Sequence, residues 1–256
     1  MIWFTGDTHG NYDISKLKSD KTRDISRDDF VIISGDFGLV WNMKDEDKNL
    51  YWRNWLDEKN FTTLFVPGNH ENYDRLYSDE FEEIDMFEGK VKRIGKKIFM
   101  LQNGYVYNID NKKVFTFGGA QSIDKGSRHE HISWWQEEIP SASQFFMGME
   151  NLSKNNFDVD VVVSHATHKT TFEKISHYLD MKFPGMSLIK NEDPLHNMLE
   201  EFRKLLTYKL WVCGHYHINS YDFGSKTVIL YNIVKQYDWL LKTVNSGNEN
   251  FYLNKV

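Results

Sequence analysis

Residues that can bind a metal ion recur in five short, glycine-flanked segments of this sequence. Asp7 and His9 lie in TGDTHGN, and His215 and His217 lie in CGHYHIN. Both pairs have an i, i+2 spacing, which directs the two side chains to the same side of an extended chain. Carboxylate, imidazole and amide-oxygen ligands suit Mn²⁺, Fe²⁺, Zn²⁺ or Ni²⁺ better than Ca²⁺. The candidate ligands are Asp7, His9, Asp36, Asn69, His165, His215 and His217.

Each segment taken alone has an ordinary structural interpretation. Gly35-Asp36 is typical of a turn, Asn69-His70 of a helix cap, and a lone histidine of a surface or core position. Five such segments in order favour the metal-ligand interpretation instead. Seven ligands are too many for one ion, and two ions ~3.5–4 Å apart can activate water and polarise a phosphoryl group.

The elements that must position these residues are short apolar strands. Because the carboxyl ends of strands in open α/β sheets converge on one crevice, we expect the five segments to meet there. The strands predicted to precede them are residues 2–5, 30–34, 62–68, 159–165 and 209–215.

Other patterns complete the predicted architecture. Residues 91–119 alternate as short strands with turns at Gly95-Lys96, Asn103-Gly104 and Asp110-Asn111, which predicts successive antiparallel hairpins. Residues 226–234 predict one closing strand. Helices are predicted over residues 45–61, 141–155 and 193–206. We therefore expect an α/β fold of two packed mixed sheets flanked by helices, in one domain spanning residues 1–256.

Composition narrows the partners. The chain has 256 residues and a net charge of −6, which disfavours extended nucleic acid as a partner. A single cysteine, Cys213, cannot form an intramolecular disulfide. No apolar run approaches the ~20 residues that cross a bilayer, and MIWFTGDTHG lacks a signal-peptide pattern. We expect a cytoplasmic protein without a membrane partner.

The ordered motifs resemble those of the calcineurin-like metallophosphoesterase superfamily over nearly the whole chain. The matching motifs are GDTHGN, GD at 35–36, GNHE at 68–71, SH at 164–165 and GHYH at 214–217. The resemblance implies a four-layer α/β/β/α sandwich with two divalent metal ions. Manganese is the first expectation for those ions, with iron, zinc and nickel as alternatives.

The resemblance also implies a role for each matched residue. Asp7, His9 and His217 would hold one metal, Asn69, His165 and His215 the other, and Asp36 would bridge them. His70 would protonate the leaving oxygen.

The implied activity is hydrolysis of a phosphomonoester or small phosphodiester by direct attack of a metal-bridging hydroxide. For this activity, the expected partner is a small phosphorylated substrate or nucleotide. A nucleotide or nucleic-acid phosphodiesterase is the alternative within the enzymes. A non-catalytic scaffold is disfavoured because all eight matched positions are retained.

The sequence departs from the phosphoprotein phosphatases after Asp36. Those relatives carry an aspartate and an arginine where this chain has Leu39 and Val40, which weakens the assignment to that branch. Glu71 could support His70 or act as a first-turn helix acid, and the latter is favoured.

A replacement for the missing phosphate-binding cation could come from an insertion at about residues 118–140, which is either a substrate-facing segment or a surface loop with its tryptophans packed beneath it. In the first case the candidate substrate-binding residues are Arg128, His129 and His131, with Lys125 beside them and Arg128 favoured, and Trp134-Trp135 could stack on a base or wall the pocket. Other aromatic and imidazole side chains lack motif context. We expect His168, His177 and His196 at the surface, and Trp41, Trp52 and Trp55 in packing.

Overall fold

Fourteen strands form two seven-stranded mixed sheets in the part of the chain that the computed structural model describes, residues 1–18, 21–42, 47–182, 194–247 and 252–254. In chain order the strands are β1 (Ile2–Thr5), β2 (Phe30–Ile33), β3 (Thr62–Phe65), β4 (Glu83–Met86), β5 (Gly89–Arg93), β6 (Ile98–Leu101), β7 (Val106–Ile109), β8 (Lys112–Phe117), β9 (Asp158–Ser164), β10 (Thr207–Cys213), β11 (Asn219–Asp222), β12 (Thr227–Ile229), β13 (Val234–Gln236) and β14 (Tyr252–Asn254).

Helices connect these strands; among those described, all but the last pack on an outer face of a sheet, and the last contributes to the core between the sheets. The α-helices are α1 (Asp47–Asp57), α2 (Tyr73–Leu76), α3 (Ala142–Lys154), α4 (Lys169–Lys182), α5 (Pro194–Leu205) and α6 (Tyr237–Ser246). Three 3₁₀ turns cover Ile14–Leu17, Lys125–Ser127 and Gln136–Glu138. Helix α3 begins with a capping box. The Ser141 hydroxyl oxygen accepts a hydrogen bond from the main-chain N–H of Gln144, and the Gln144 side-chain oxygen accepts one from the main-chain N–H of Ser141.

Parallel strands occupy the centre of each sheet. The first sheet has the order β13-β1-β2-β3-β6-β5-β4, and β1, β2, β3 and β6 are parallel. The second has the order β14-β11-β12-β10-β9-β8-β7, and β12, β10, β9 and β8 are parallel. The carboxyl ends of the parallel strands therefore lie along one edge of each sheet.

Successive side chains of each strand point to opposite faces of the sheet and therefore belong to different layers of the core. Phe4 and Ile32 from the first sheet meet Val161 and Val212 from the second in the core between the sheets. On the outer face of the first sheet, Ile33 packs with Leu56 of α1. The outer face of the second sheet packs on α3 and α5 through Leu152, Leu199 and Phe202. This arrangement confirms the expected four-layer α/β/β/α sandwich.

The predicted run of hairpins is wrong at one turn. Strands β5 and β6 pair, as do β7 and β8, but β6 and β7 belong to different sheets. Asn103-Gly104 is therefore a crossover between the sheets. The strand predicted over residues 226–234 is divided in the same way, with β12 in the second sheet and β13 in the first. Residue alternation identifies a strand but carries no information about its partner.

No helix in the described ranges combines the length and the apolarity that crossing a membrane requires.

Candidate metal centre

The five predicted segments converge where the two sheets meet. Asp7, Asp36 and Asn69 follow β1, β2 and β3 of the first sheet, and His165 and His215 follow β9 and β10 of the second. Three overlapping groups of side chains place ligand atoms within 4.8 Å of one another. These groups are Asp7, His9 and His217; His9, Asp36 and His70; and Asp7, Asp36 and His165.

Asp36 lies between the two halves of this cluster. Its Oδ2 is 3.3 Å from Nε2 of His9, and its Oδ1 is 3.2 Å from Nε2 of His165. The carboxylate is almost completely buried. A buried carboxylate with one oxygen toward each group of imidazoles has the arrangement that a bridging ligand requires.

Asp7 provides a test of whether these residues fit a cation. Its Oδ2 is buried and accepts no well-aligned hydrogen bond, although Nε2 of His217 is 3.2 Å away. Oδ1 accepts a 2.9 Å hydrogen bond from the main-chain N–H of His215. A buried carboxylate oxygen close to an imidazole nitrogen, but not aligned with it, suits two ligands of one cation. The residues present therefore fit a divalent metal.

Neighbouring groups orient the remaining candidate ligands. Nδ1 of His9 lies 2.8 Å from Oδ2 of Asp13, and Nδ1 of His165 lies 2.7 Å from the carbonyl of Ser34. These partners fix each ring and leave Nε2 for a metal. The Asn69 amide donates to Ser122 Oγ at 3.3 Å, which leaves its Oδ1 facing His165.

Backbone conformation at the site is unusual. His9, Asp36, His215 and His217 have φ values of 43°, 48°, 70° and 51°. Non-glycine residues in this left-handed region are uncommon and concentrate at functional sites. Gly35, at φ 95°, permits the close approach of the His165 ring to the chain that follows β2, because a Cβ there would lie 2.2 Å from Nδ1 of His165.

The charges of the site also favour a cation. Burial by itself would lower the pKa values of His9 and His165, but the Asp36 carboxylate raises both to about 9. Burial would raise the pKa of Asp7, yet His217 and His165 hold it below its ordinary value. Burial lowers the pKa of His215 to about 3. Two imidazolium ions thus balance the carboxylates, and bound metals would displace their protons.

His70 adjoins this cluster without being enclosed by it. Its main-chain N–H donates a 2.7 Å hydrogen bond to Asp36 Oδ1, and its ring lies edge-on to His9 at 5.3 Å. The Trp41 ring is tilted against it at 5.6 Å. Burial lowers the pKa of the His70 imidazole.

Two clefts open onto the centre and share His70 and His217. The smaller has a volume of about 210 Å³ and includes Asp36, Asn69, His215 and Arg128. The larger has a volume of about 660 Å³ and includes His9, with aromatic side chains along its walls. A phosphoester seated at the centre would therefore have space on both sides of His70.

The predicted insertion contributes to the smaller cleft. Residues 118–140 connect β8 to α3, and Arg128 lines the cleft while its Nε forms a 2.8 Å ion pair with Asp124. His129 is exposed and does not line the cleft. His131 faces Asp74 at 3.1 Å instead. The structure thus brings Arg128 to the site and does not bring His129 or His131.

Sequence comparison agrees with this geometry. A model of the family described as calcineurin-like phosphoesterase matches residues 1–219. The chain is a calcineurin-like phosphoesterase. Members of this family are metal-dependent hydrolases of phosphoesters, which confirms the enzyme class and the requirement for divalent ions. No curated protein matches the chain.

Among solved structures, the crystal structure of phosphopantetheinyl hydrolase from Mycobacterium tuberculosis is similar to this calcineurin-like phosphoesterase. The two share 14% sequence identity and a TM-score of 0.47, over 99% of this chain and 95% of that one.

This calcineurin-like phosphoesterase uses the segment after Asp36 for packing. Leu39 and Val40 are completely buried in the outer core of the first sheet. Glu71 is also completely buried, and its carboxylate accepts hydrogen bonds from the main-chain N–H groups of Phe37 at 2.6 Å and Gly38 at 3.3 Å. Both roles predicted for Glu71 are wrong, since it stabilises the loop that carries Asp36.

Lys16 is a residue that the sequence patterns missed. It is 3% exposed, and its ammonium group donates to the main-chain carbonyls of Asp7 and Tyr231. A lysine in an ordinary polar segment carries no local signal of burial, because both carbonyls are supplied by other elements.

Three aromatic or imidazole residues differ from expectation. His168 and His196 are buried at the starts of α4 and α5, so their predicted surface positions are wrong. Trp41 borders the larger cleft rather than only packing. Trp52 and Trp55 pack against the outer core as expected. The side chain of His177 lies outside the described residues.

Proposed function

We propose that this phosphoesterase hydrolyses a phosphomonoester or a small phosphodiester with two divalent ions, Mn²⁺ being the first choice and iron, zinc or nickel the alternatives. The observation that carries the proposal is the position of Asp36, whose two carboxylate oxygens face His9 on one side and His165 on the other.

Each half of the centre has its own set of candidate ligands. Asp7, His9 and His217 would hold one ion, and Asn69, His165 and His215 would hold the other, with Asp36 shared. When bound, the ions supply Lewis acidity toward the phosphoryl oxygens and lower the pKa of a coordinated water.

Protein side chains provide the remaining functions. His70 would donate a proton to the oxygen that leaves phosphorus; its position on the border of both clefts and the contact of its backbone with Asp36 support this role. Arg128 would bind a non-bridging phosphoryl oxygen, a role that its position in the lining of the smaller cleft supports. The acidic chain favours a small phosphorylated substrate or nucleotide over a nucleic-acid polymer.

The test compares p-nitrophenyl phosphate with bis-p-nitrophenyl phosphate, each with Mn²⁺, Fe²⁺, Zn²⁺ or Ni²⁺. We expect hydrolysis by the wild type and about two bound ions per chain. Asp36→Asn should lose both bound metal and activity. Asp24→Asn is the matched control, because the Asp24 side chain is 78% exposed. A wild-type protein that binds no divalent ion, or an Asp36→Asn variant with full activity, would contradict the proposal.

A further inference from the structure

The larger cleft has aromatic walls on both sides of the shared histidines. Tyr231 stacks on His217, with ring centroids 4.8 Å apart and an interplanar angle of 17°. Trp41 leans on His70 from the other side. Tyr12 lies at the rim and is 80% exposed, which leaves its ring without a packing role. We call this space the aromatic cleft.

The aromatic cleft also contains a buried side-chain amide, which needs a hydrogen-bond acceptor. Asn49, on α1, lines it and is only 7% exposed. Its Nδ2 is buried and has no hydrogen-bond partner among the residues that the structure describes. Because buried donors are nearly always satisfied in folded proteins, this donor indicates a ligand that brings an acceptor.

The volumes of the two clefts indicate which part of the substrate each one binds. About 660 Å³ lies within the ~300–1,000 Å³ typical of small-molecule sites, whereas about 210 Å³ suits a phosphoryl group beside Arg128. Aromatic walls favour a flat ring, and the Asn49 amide favours a ring that carries an acceptor.

We propose that the aromatic cleft binds the leaving group of the substrate, and that this group is a nucleoside. The inference rests on the proposed function, since it names the substrate class of the same centre. Water would form the new bond to phosphorus while the bond to the ribose oxygen breaks. The leaving oxygen would take a proton from His70, and the attacking water would release one to the solvent, from which His70 is reprotonated, giving a nucleoside and inorganic phosphate.

A matched pair of substrates tests whether the aromatic cleft binds the base of a nucleotide, while the leaving oxygen stays chemically the same. Adenosine 5′-monophosphate and ribose 5-phosphate both release a primary alkoxide of ribose and differ by the base. We expect kcat/KM to be at least ~10-fold higher for the nucleotide, the effect of stacking one base on aromatic side chains. Equal kcat/KM values would overturn the inference.

A second pair separates a nucleoside from any flat ring. Benzyl phosphate and ethyl phosphate both release a primary alkoxide, and benzyl lacks an acceptor for Asn49. We expect benzyl phosphate to exceed ethyl phosphate by a smaller factor than the nucleotide exceeds ribose 5-phosphate. A benzyl preference as large as the nucleotide preference would overturn the nucleoside assignment.

Substitutions in the aromatic cleft test whether the preference for the nucleotide over ribose 5-phosphate arises there. Tyr12→Ala and Asn49→Leu should each reduce the ratio of kcat/KM between adenosine monophosphate and ribose 5-phosphate by ~3-fold or more. Tyr51→Ala is the matched control, because Tyr51 is 60% exposed and outside the cleft lining. An unchanged ratio in Tyr12→Ala contradicts the inference even if Asn49→Leu fails to fold.

Binding of adenosine alone distinguishes this inference from the proposed function. Adenosine has no phosphoester, so its calorimetric titration and its quenching of tryptophan fluorescence need no catalysis. Adenosine binding that Tyr12→Ala weakens, in a protein that hydrolyses nothing, would support the cleft and contradict the proposed activity. Hydrolysis of p-nitrophenyl phosphate without adenosine binding or a nucleotide preference would support the activity and contradict the cleft.

Discussion

His70 and Asp36 are linked through one hydrogen bond, from the main-chain N–H of His70 to Asp36 Oδ1 at 2.7 Å. The link involves the backbone of His70 and not its ring. The side chain can therefore be removed while the contact that positions the central carboxylate is kept. This separates metal binding from proton transfer at the level of a single residue.

His70→Ala should retain the metal content of the wild type and lose ~10²–10⁴-fold in kcat, the usual contribution of a general acid. Metal analysis and steady-state kinetics on the same preparation check this. Loss of metal together with activity would instead make His70 a ligand, and near-unchanged kcat would exclude it as the proton donor.

Gly35→Ala should disrupt the centre without replacing any of the candidate ligands. The new Cβ would lie 2.2 Å from Nδ1 of His165, at a φ of 95° that alanine rarely adopts. We expect a loss of ~2–4 kcal/mol in the free energy of unfolding, measured by urea denaturation, together with lost metal.

Gly126→Ala is the control for that substitution, because a Cβ at Gly126 meets nothing within 4 Å. It should change the free energy of unfolding by less than ~0.5 kcal/mol. Comparable destabilisation by the two substitutions would show that the close approach at Gly35 is not the cause.

At the scale of elements, the strands that end at the site were predictable and their sheet membership was not. Short apolar runs ended by Gly6, Gly35 and Gly68 are enough to identify the three strands that prove to be parallel neighbours in the first sheet. The crossover at Asn103-Gly104 was not predictable, because a hairpin and a sheet change share the same local turn sequence.

Buried polar side chains were the other failure at this scale. His168 contacts Thr227 Oγ1 at 2.9 Å, and His196 contacts the Tyr216 hydroxyl at 3.0 Å. Both partners come from distant parts of the chain. The sequence around a histidine outside any motif does not show whether its ring faces solvent or is buried in contact with a hydroxyl group 59 or 20 positions away.

His168, buried where α4 and α5 meet the second sheet, should make the free energy of unfolding fall at acidic pH. Burial lowers the pKa of its imidazole below the ordinary 6.5. The unfolded chain then binds a proton near pH 6.5 that the folded protein does not bind. Stability is therefore lost as the pH falls below ~6.5, by up to ~1.4 kcal/mol per pH unit.

The measurement is the free energy of unfolding between pH 6.5 and 5 in wild type and His168→Asn, both with chelator. Glu200 contributes little in this window, since Arg203 and Thr170 overcome its burial and hold its pKa below the ordinary 4.5. The slope should be flatter in His168→Asn, whereas the exposed His129→Asn should match the wild type. Parallel slopes in all three proteins would contradict the assignment.

Across the whole molecule, each sheet supplies part of the metal centre. The first sheet contributes Asp7, His9, Asp36 and Asn69, and the second contributes His165, His215 and His217. Their positions depend on the packing of the two sheets through the apolar core between them. Metal binding should therefore report on the assembly of the complete sandwich.

Removal of metal should lower the Tm of the protein. At a free-metal concentration of ~100 times Kd, binding contributes ~2.7 kcal/mol to folding, or a Tm shift of ~5–10 °C for a domain of this size. Differential scanning calorimetry with and without EDTA measures the shift. Asp36→Asn should show no such shift, and an EDTA-insensitive wild type would exclude a structural contribution from the metals.

The crossover at Asn103-Gly104 has a consequence for chain connectivity. A cut there would leave β1 to β6 on one fragment and β7 to β14 on the other, so that each fragment carries only some of the candidate ligands. Neither fragment could form the centre alone. Divalent metal would then act as an intermolecular cross-link between the two fragments, in addition to the pairing of β13 with β1 and the apolar core between the sheets.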